Sequence, residues 1–206
     1  MKKPATIKAL EELGRVRLSK SFFMRDMLYS EIANFYGLPN MPDDPDLAIH
    51  TASQLCETFL EPLQDRFGRI SIRSAYRSPS VNQFGNDNNL SCASNEKNHA
   101  AHIFDYRDAD GCCGATASIV VNSFIDYYEK THHWQAMAWW IHDHLPPTDL
   151  YFFPKLAAFN ISWHEKPTRT IKSYAKPMGT LTKPGMSNFE GTHEEEYADF
   201  LATLSG

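Results

Sequence analysis

The run Phe67-Gly-Arg-Ile-Ser-Ile-Arg-Ser-Ala-Tyr-Arg-Ser-Pro79 constrains this chain more than any other stretch. Gly68 closes a helical segment, the Ile70/Ile72 alternation is that of a half-buried strand, and Ser78-Pro79 turns the chain just after it. A short strand therefore delivers Arg77 to a fixed place at its end. A guanidinium held there is a rigid fork of donors suited to a carboxylate or a carbonyl. The alternative is an ordinary strand end whose arginine stands in water.

The flanking sequence supplies the partners of that strand. Phe22 to Tyr36 carries apolar residues at helical spacing and stops at Gly37-Leu-Pro39. A loop rich in Pro and Asp leads into a helix from about Pro45 to Arg66, with Leu47, Leu55, Phe59 and Leu63 on one face. Residues 83–98 are polar, rich in Asn and aperiodic, which predicts a long loop. Ala101 to Tyr106 alternates as a second strand, Gly111 to Gly114 makes a turn, and Ala115 to Glu129 reads as a helix. A further helix spans Trp134 to His144 and ends at Pro146-Pro147. Leu150–Phe153 and Ala158–Trp163 read as a closing hairpin. Beyond Glu165, Lys-Pro and Pro-Gly pairs indicate an extended arm, whose Ile171, Tyr174 and Leu181 are too apolar for a free linker. Thr192-His-Glu-Glu195 is a capping box for a last helix. Helices followed by short strands mixed with helices predict an α+β fold, divided into a lead-in (1–19), a domain (20–165) and a C-terminal arm with a short helix (166–206).

At 206 residues the chain suits one domain with a real core. A net charge of −5 leaves no basic footprint for nucleic acid. No apolar run approaches the roughly 20 residues of a membrane span, and no apolar signal core follows the basic start. A cytoplasmic protein, as synthesised, is the expectation. The four cysteines fit a reduced compartment, with Cys56 on an apolar helical face and Cys112-Cys113 too close together for the usual zinc spacing. The nine histidines, concentrated in the second half, are the main candidates for chemistry.

From Phe22 to about His164 the chain resembles the zinc DD-peptidases, the hedgehog-like superfamily of D-alanyl-D-alanine carboxypeptidases and phage endolysins. The resemblance rests on an early Phe22/Asp26/Ser30/Glu31 helix, Leu60-Glu-Pro-Leu63, the Phe67-Gly68 stop, the Ser-x-Tyr-Arg-Ser-Pro-x-x-Asn run from Ser74 to Asn82, a strand ending in Asp105 and a late Asn-Ile-Ser-Trp strand. It implies a small antiparallel sheet flanked by helices. It further implies a zinc ion with three protein ligands and an open position for water and a peptidoglycan peptide or other small peptide as substrate, with a phage or mobile element as one setting for a degenerate relative.

Anchored on Asp105, the family's first ligand motif falls on Asn98 to Asp105, so Asn98 stands at a histidine position. Asn160 stands at the later one. His99 and His164 are the nearest replacements, giving Asp105, His99 and His164 as the implied metal set. Arg77 takes the catalytic role of steadying substrate or oxyanion, and Ser74, Tyr76, Asn98 and Asn160 bind substrate. His102, or His142 and His144, form a second set, although helix-end histidines commonly serve the last carbonyls. Without zinc, Asp105 on an inward strand face pairs with Arg77. Two functions follow: a zinc metallopeptidase of cell-wall peptides, or a degenerate relative kept as a binding or assembly module, with the arm available to join subunits.

Overall fold

Asp44 begins the longest helical run of the chain. Its side chain accepts from the Leu47 N–H at 3.1 Å and Pro45 follows in the first turn, where the missing N–H costs nothing. The computed structural model describes residues 1–204. In it this run comprises α4 (Pro45–Leu55), one π-helical stretch (Cys56–Leu60) and α5 (Glu61–Phe67). Pro62 explains the π stretch: it cannot donate to the carbonyl four residues back, and its ring crowds that carbonyl, so the helix widens just before it.

Ahead of this run lie α1 (Ile7–Gly14), α2 (Met24–Met27) and α3 (Glu31–Tyr36). The helix predicted over Phe22–Tyr36 is thus two short ones, because Ser30 caps α3 through the Ala33 N–H. Its predicted stop holds, with Gly37 left-handed at φ 65°. After β1 (Ile70–Ser74) the polar stretch expected to be a loop forms α6 (Pro79–Asp87) and α7 (Asn95–Asn98). Ser78 caps α6 through the Val81 N–H.

The second strand lies further along the chain than its sequence pattern predicts. Residues 101–106 form turns, and only an isolated bridge pairs His99 with Ile103. The strand is β2 (Gly114–Val121), where a helix was expected. The chain continues through α8 (Ile125–Thr131), α9 (Gln135–His144), β3 (Asp149–Phe152) and β4 (Phe159–His164). Then come β5 (Ile171–Ser173), β6 (Gly179–Thr182) and α10 (Glu194–Thr203). Thr192 does not cap α10; the N-cap is His193, with no side-chain cap.

The strands form one six-stranded open sheet in the order β1-β2-β4-β3-β5-β6. All pairs are antiparallel except β3–β5. The molecule is an α+β fold with its sheet flanked by helices. Alternation sorts the two faces. Ala115, Ala117, Ile119, Phe159, Ile161, Leu150 and Phe152 are buried with α4 in the main core. Ala48 and Ala52 of α4, like Ala115 and Ala117 of β2, are fully buried. Small side chains on both surfaces let helix and sheet approach closely. The other face is polar, with Thr116 opposite Ser162 and Ser118 opposite Asn160.

No helix among the described residues is long and apolar enough to cross a membrane. The segment beyond residue 165 adds β5 and β6 to the same sheet, and Ile171 and Phe200 are buried in the main core.

Candidate functional site

The polar face of the sheet becomes a pocket because residues 98–103 fold over it. The Thr116 N–H donates to the Ala101 carbonyl at 2.9 Å, and the Arg77 N–H to the His102 carbonyl at 2.8 Å. Gly114 permits this closeness, since a Cβ there would lie 2.3 Å from the Ala100 oxygen. The resulting cavity, about 330 Å³, is lined by Asn98, Ala101, His102, Thr116, Asn160 and Ser162, with Asp149, Tyr151, Thr170 and Lys172 along β3 and β5.

His102 is its most defined group. The ring is 7% exposed, and Nδ1 lies 2.8 Å from the Ala75 carbonyl. A carbonyl only accepts, so Nδ1 holds the proton and Nε2 keeps a lone pair. That lone pair faces the Asn160 Nδ2 at 3.5 Å. Burial, followed by the positive charge of Arg77, pushes the imidazole pKa down to about 3. His102 is therefore neutral at physiological pH. Asn98 also lines the pocket, but its amide donates to the Asn82 Oδ1 at 3.1 Å and the Ala93 carbonyl at 3.1 Å, tying α7 to α6. Asp149 is committed as well, accepting from the N–H groups of Thr168 and Thr170 at 2.9 Å each. Lys172 is the one cationic side chain on the pocket wall.

Among the described residues, Asp105, His99 and His164 do not come together as a ligand group. Asp105 is 4% exposed and is not among the residues that line the pocket. Its Oδ2 accepts from the Asp43 N–H at 2.6 Å and the Asp44 N–H at 3.3 Å, and its Oδ1 from the Tyr76 hydroxyl at 3.0 Å. Burial nonetheless raises its pKa above the usual carboxylate range. His99 stacks on Tyr106, ring centroids 5.0 Å apart. His164 accepts the Lys166 N–H on Nδ1 at 3.0 Å, so Nε2 carries the proton it shares with Asp108 at 3.1 Å.

The expected Arg77–Asp105 pair is also absent among the described residues. Arg77 is 9% exposed, its Nη1 reaches the Cys92 sulfur, and its Nε has no partner. Tyr76, fully buried, faces Asp105 instead. Neighbours in an extended segment point opposite ways, so only one of Tyr76 and Arg77 meets that carboxylate. Ser74 pairs with Ser118 across β1 and β2, outside the pocket lining. Of the residues singled out from sequence, Asn98, His102 and Asn160 line the same pocket.

One other group of ligand-bearing side chains exists among the described residues: His142, Asp143 and His193, whose donor atoms all lie within 4.8 Å of one another. It joins α9 to the start of α10 and shares no residue with the pocket. The sequence reading has His142 serving the last carbonyls of its own helix; instead its Nε2 faces the Phe189 carbonyl at 2.9 Å. His144 likewise turns to the Tyr197 hydroxyl at 3.1 Å. Nothing local marks His193 as their partner, since the contact spans 50 residues.

No protein-family model matches this chain. No curated protein and no solved structure matches it either.

Proposed function

We propose that this chain is a peptide-binding module built on a DD-peptidase-like plan, with hydrolysis through the implied zinc set given up. The observation that carries this reading is the placement of Asp105. Its two oxygens are used by Tyr76 and by the N–H groups of Asp43 and Asp44, so it braces the 39–46 loop and is not part of the cavity lining. In its place the cavity offers neutral hydrogen-bonding groups: the Asn160 amide, the lone pair of His102 Nε2, and the paired hydroxyls of Thr116 and Ser162, 2.8 Å apart. Amides are weak ligands for a borderline metal but match a peptide group donor for acceptor.

The occupant this lining suits is a short peptide, such as a peptidoglycan stem fragment. Its backbone amides would meet Asn160 and His102, and its terminal carboxylate would meet Lys172. Each satisfied hydrogen bond contributes about 0.5–1.5 kcal/mol, more where the carboxylate is charged. Affinities in the micromolar to millimolar range follow.

Calorimetry with peptides ending in D-Ala-D-Ala tests this. Expected are saturable binding without cleavage, at least tenfold weakening in Asn160→Leu, and a smaller loss in Lys172→Ala. Cleavage of the peptide that disappears in Asp105→Ala, with the fold intact by circular dichroism, would instead establish the metallopeptidase.

A further inference from the structure

We propose that His142, Asp143 and His193 form a divalent-metal site that staples the C-terminal helix to α9. His193 Nε2 lies 3.0 Å from the Asn188 carbonyl, which only accepts, so this nitrogen carries a proton. Its Nδ1 lies 2.8 Å from the Asp143 Oδ1, and an ionised carboxylate also only accepts. A neutral imidazole has one proton and cannot supply both contacts. A second positive centre, a proton or a metal ion, belongs at Nδ1.

The surroundings favour the metal. His142 repeats the pattern, with Nε2 at 2.9 Å from the Phe189 carbonyl, so its lone pair is also on Nδ1. Two consecutive carbonyls, Asn188 and Phe189, thus set the same tautomer in both rings. This is the outer-shell arrangement that orients metal-bound histidines, in which the second ring N–H is given to a carbonyl. Trp139 lies flat against His193, centroids 3.8 Å apart and planes 8° apart, which fixes the ring. The Tyr197 hydroxyl donates to the other Asp143 oxygen at 3.2 Å, orienting the carboxylate. The Asp143 and His193 side chains are only 6% and 12% exposed, so little water competes.

Two imidazoles and a carboxylate form a borderline donor set that suits Zn²⁺ or Co²⁺, with the remaining position open to water. Two ligands sit on the last turn of α9 and the third at the N-cap of α10, which has no side-chain cap of its own. The bound ion would tie the start of α10 to the end of α9. The site is independent of the peptide pocket.

The test uses the full chain, stripped with chelator, dialysed and titrated separately with Zn²⁺ and Co²⁺. Expected are about one equivalent bound per chain and a thermal midpoint raised on the order of 5 °C at a hundredfold excess over Kd. The Co²⁺ form should show tetrahedral visible bands without the near-ultraviolet charge transfer of cysteine ligation. His193→Gln and Asp143→Asn should each abolish these effects, and Asp105→Asn should leave them unchanged. The cobalt spectrum of the unaltered protein reads the ligand set even if a variant folds poorly. Absence of saturable one-equivalent binding, thiolate bands, or binding undiminished in a folded His193→Gln protein would overturn the proposal and leave His193 as a hydrogen-bond partner of Asp143 alone.

Discussion

Two buried titratable side chains act on stability in opposite directions. His102 has its folded pKa held at about 3, below the ordinary 6.5. Between those values the unfolded chain binds a proton that the native state refuses, so stability falls as pH drops through this window. Asp105 has a raised pKa. Its native state prefers the protonated form, so its contribution is full below pH 3.8 and is lost as pH rises through the folded value. Denaturant melts from pH 7 down to 4 should show a net loss of stability, with a slope of up to about 1.4 kcal/mol per pH unit from His102. His102→Asn, whose amide can still donate to the Ala75 carbonyl, should flatten that slope. Asp105→Ala leaves three donors facing an empty space and should cost about 2–4 kcal/mol at neutral pH. Sequence reasoning places an inward-facing carboxylate at 105 and pairs it with a metal or with Arg77, whereas it accepts from Tyr76 and two backbone N–H groups. It misses the partner because Tyr76, which reads as part of the recognition motif, is the side chain that turns inward, and the loop donors at Asp43 and Asp44 come from 62 and 61 residues away.

Helices and strands differ in how plainly the chain announces them. The α4–α5 run, β1, α9 and the β3–β4 hairpin are legible because amphipathic spacing and Gly or Pro stops agree at each. Ala115 to Val121 is not, because β2 lies between β1 and β4 with nearly every residue buried, and a short apolar run fits a buried helix equally well. The alternation at 101–106 then attracts the strand assignment to a segment of turns. Gly114, at the start of β2, gives this misread element a sharp test. A methyl group there would lie 2.3 Å from the Ala100 oxygen and 2.8 Å from the Trp163 oxygen, both backbone atoms. Gly114→Ala should therefore push the 98–103 segment off the sheet and destabilise the fold by about 1–3 kcal/mol. Amide chemical shifts of Asn98 to His102 should move, whereas those of α9 and α10 should not.

At the scale of the whole molecule, the C-terminal segment completes the structure. Phe200 of α10 is fully buried and meets Phe67, Phe124 and Tyr127 at centroid distances of 5.4, 4.7 and 5.4 Å. The Trp134 indole donates to the Lys176 carbonyl at 3.1 Å, tying the stretch between β5 and β6 to the helical layer. Phe200→Ala should cost about 3–5 kcal/mol, read by thermal or denaturant unfolding. A chain ending at residue 165 should expose the sheet and fail to give a cooperative transition.

The sheet ends at β6, only four residues long. Pro177 lies two residues before it, and Lys183-Pro184 follows directly after it. Prolines lack the N–H groups a further strand would need, and a lysine beside them resists a neighbour's approach. The Lys-Pro pairs that punctuate the sequence as an arm thus serve as guards on an open edge. They keep one molecule's sheet from continuing into the next, so that even crowded copies of this chain should stay apart along that border.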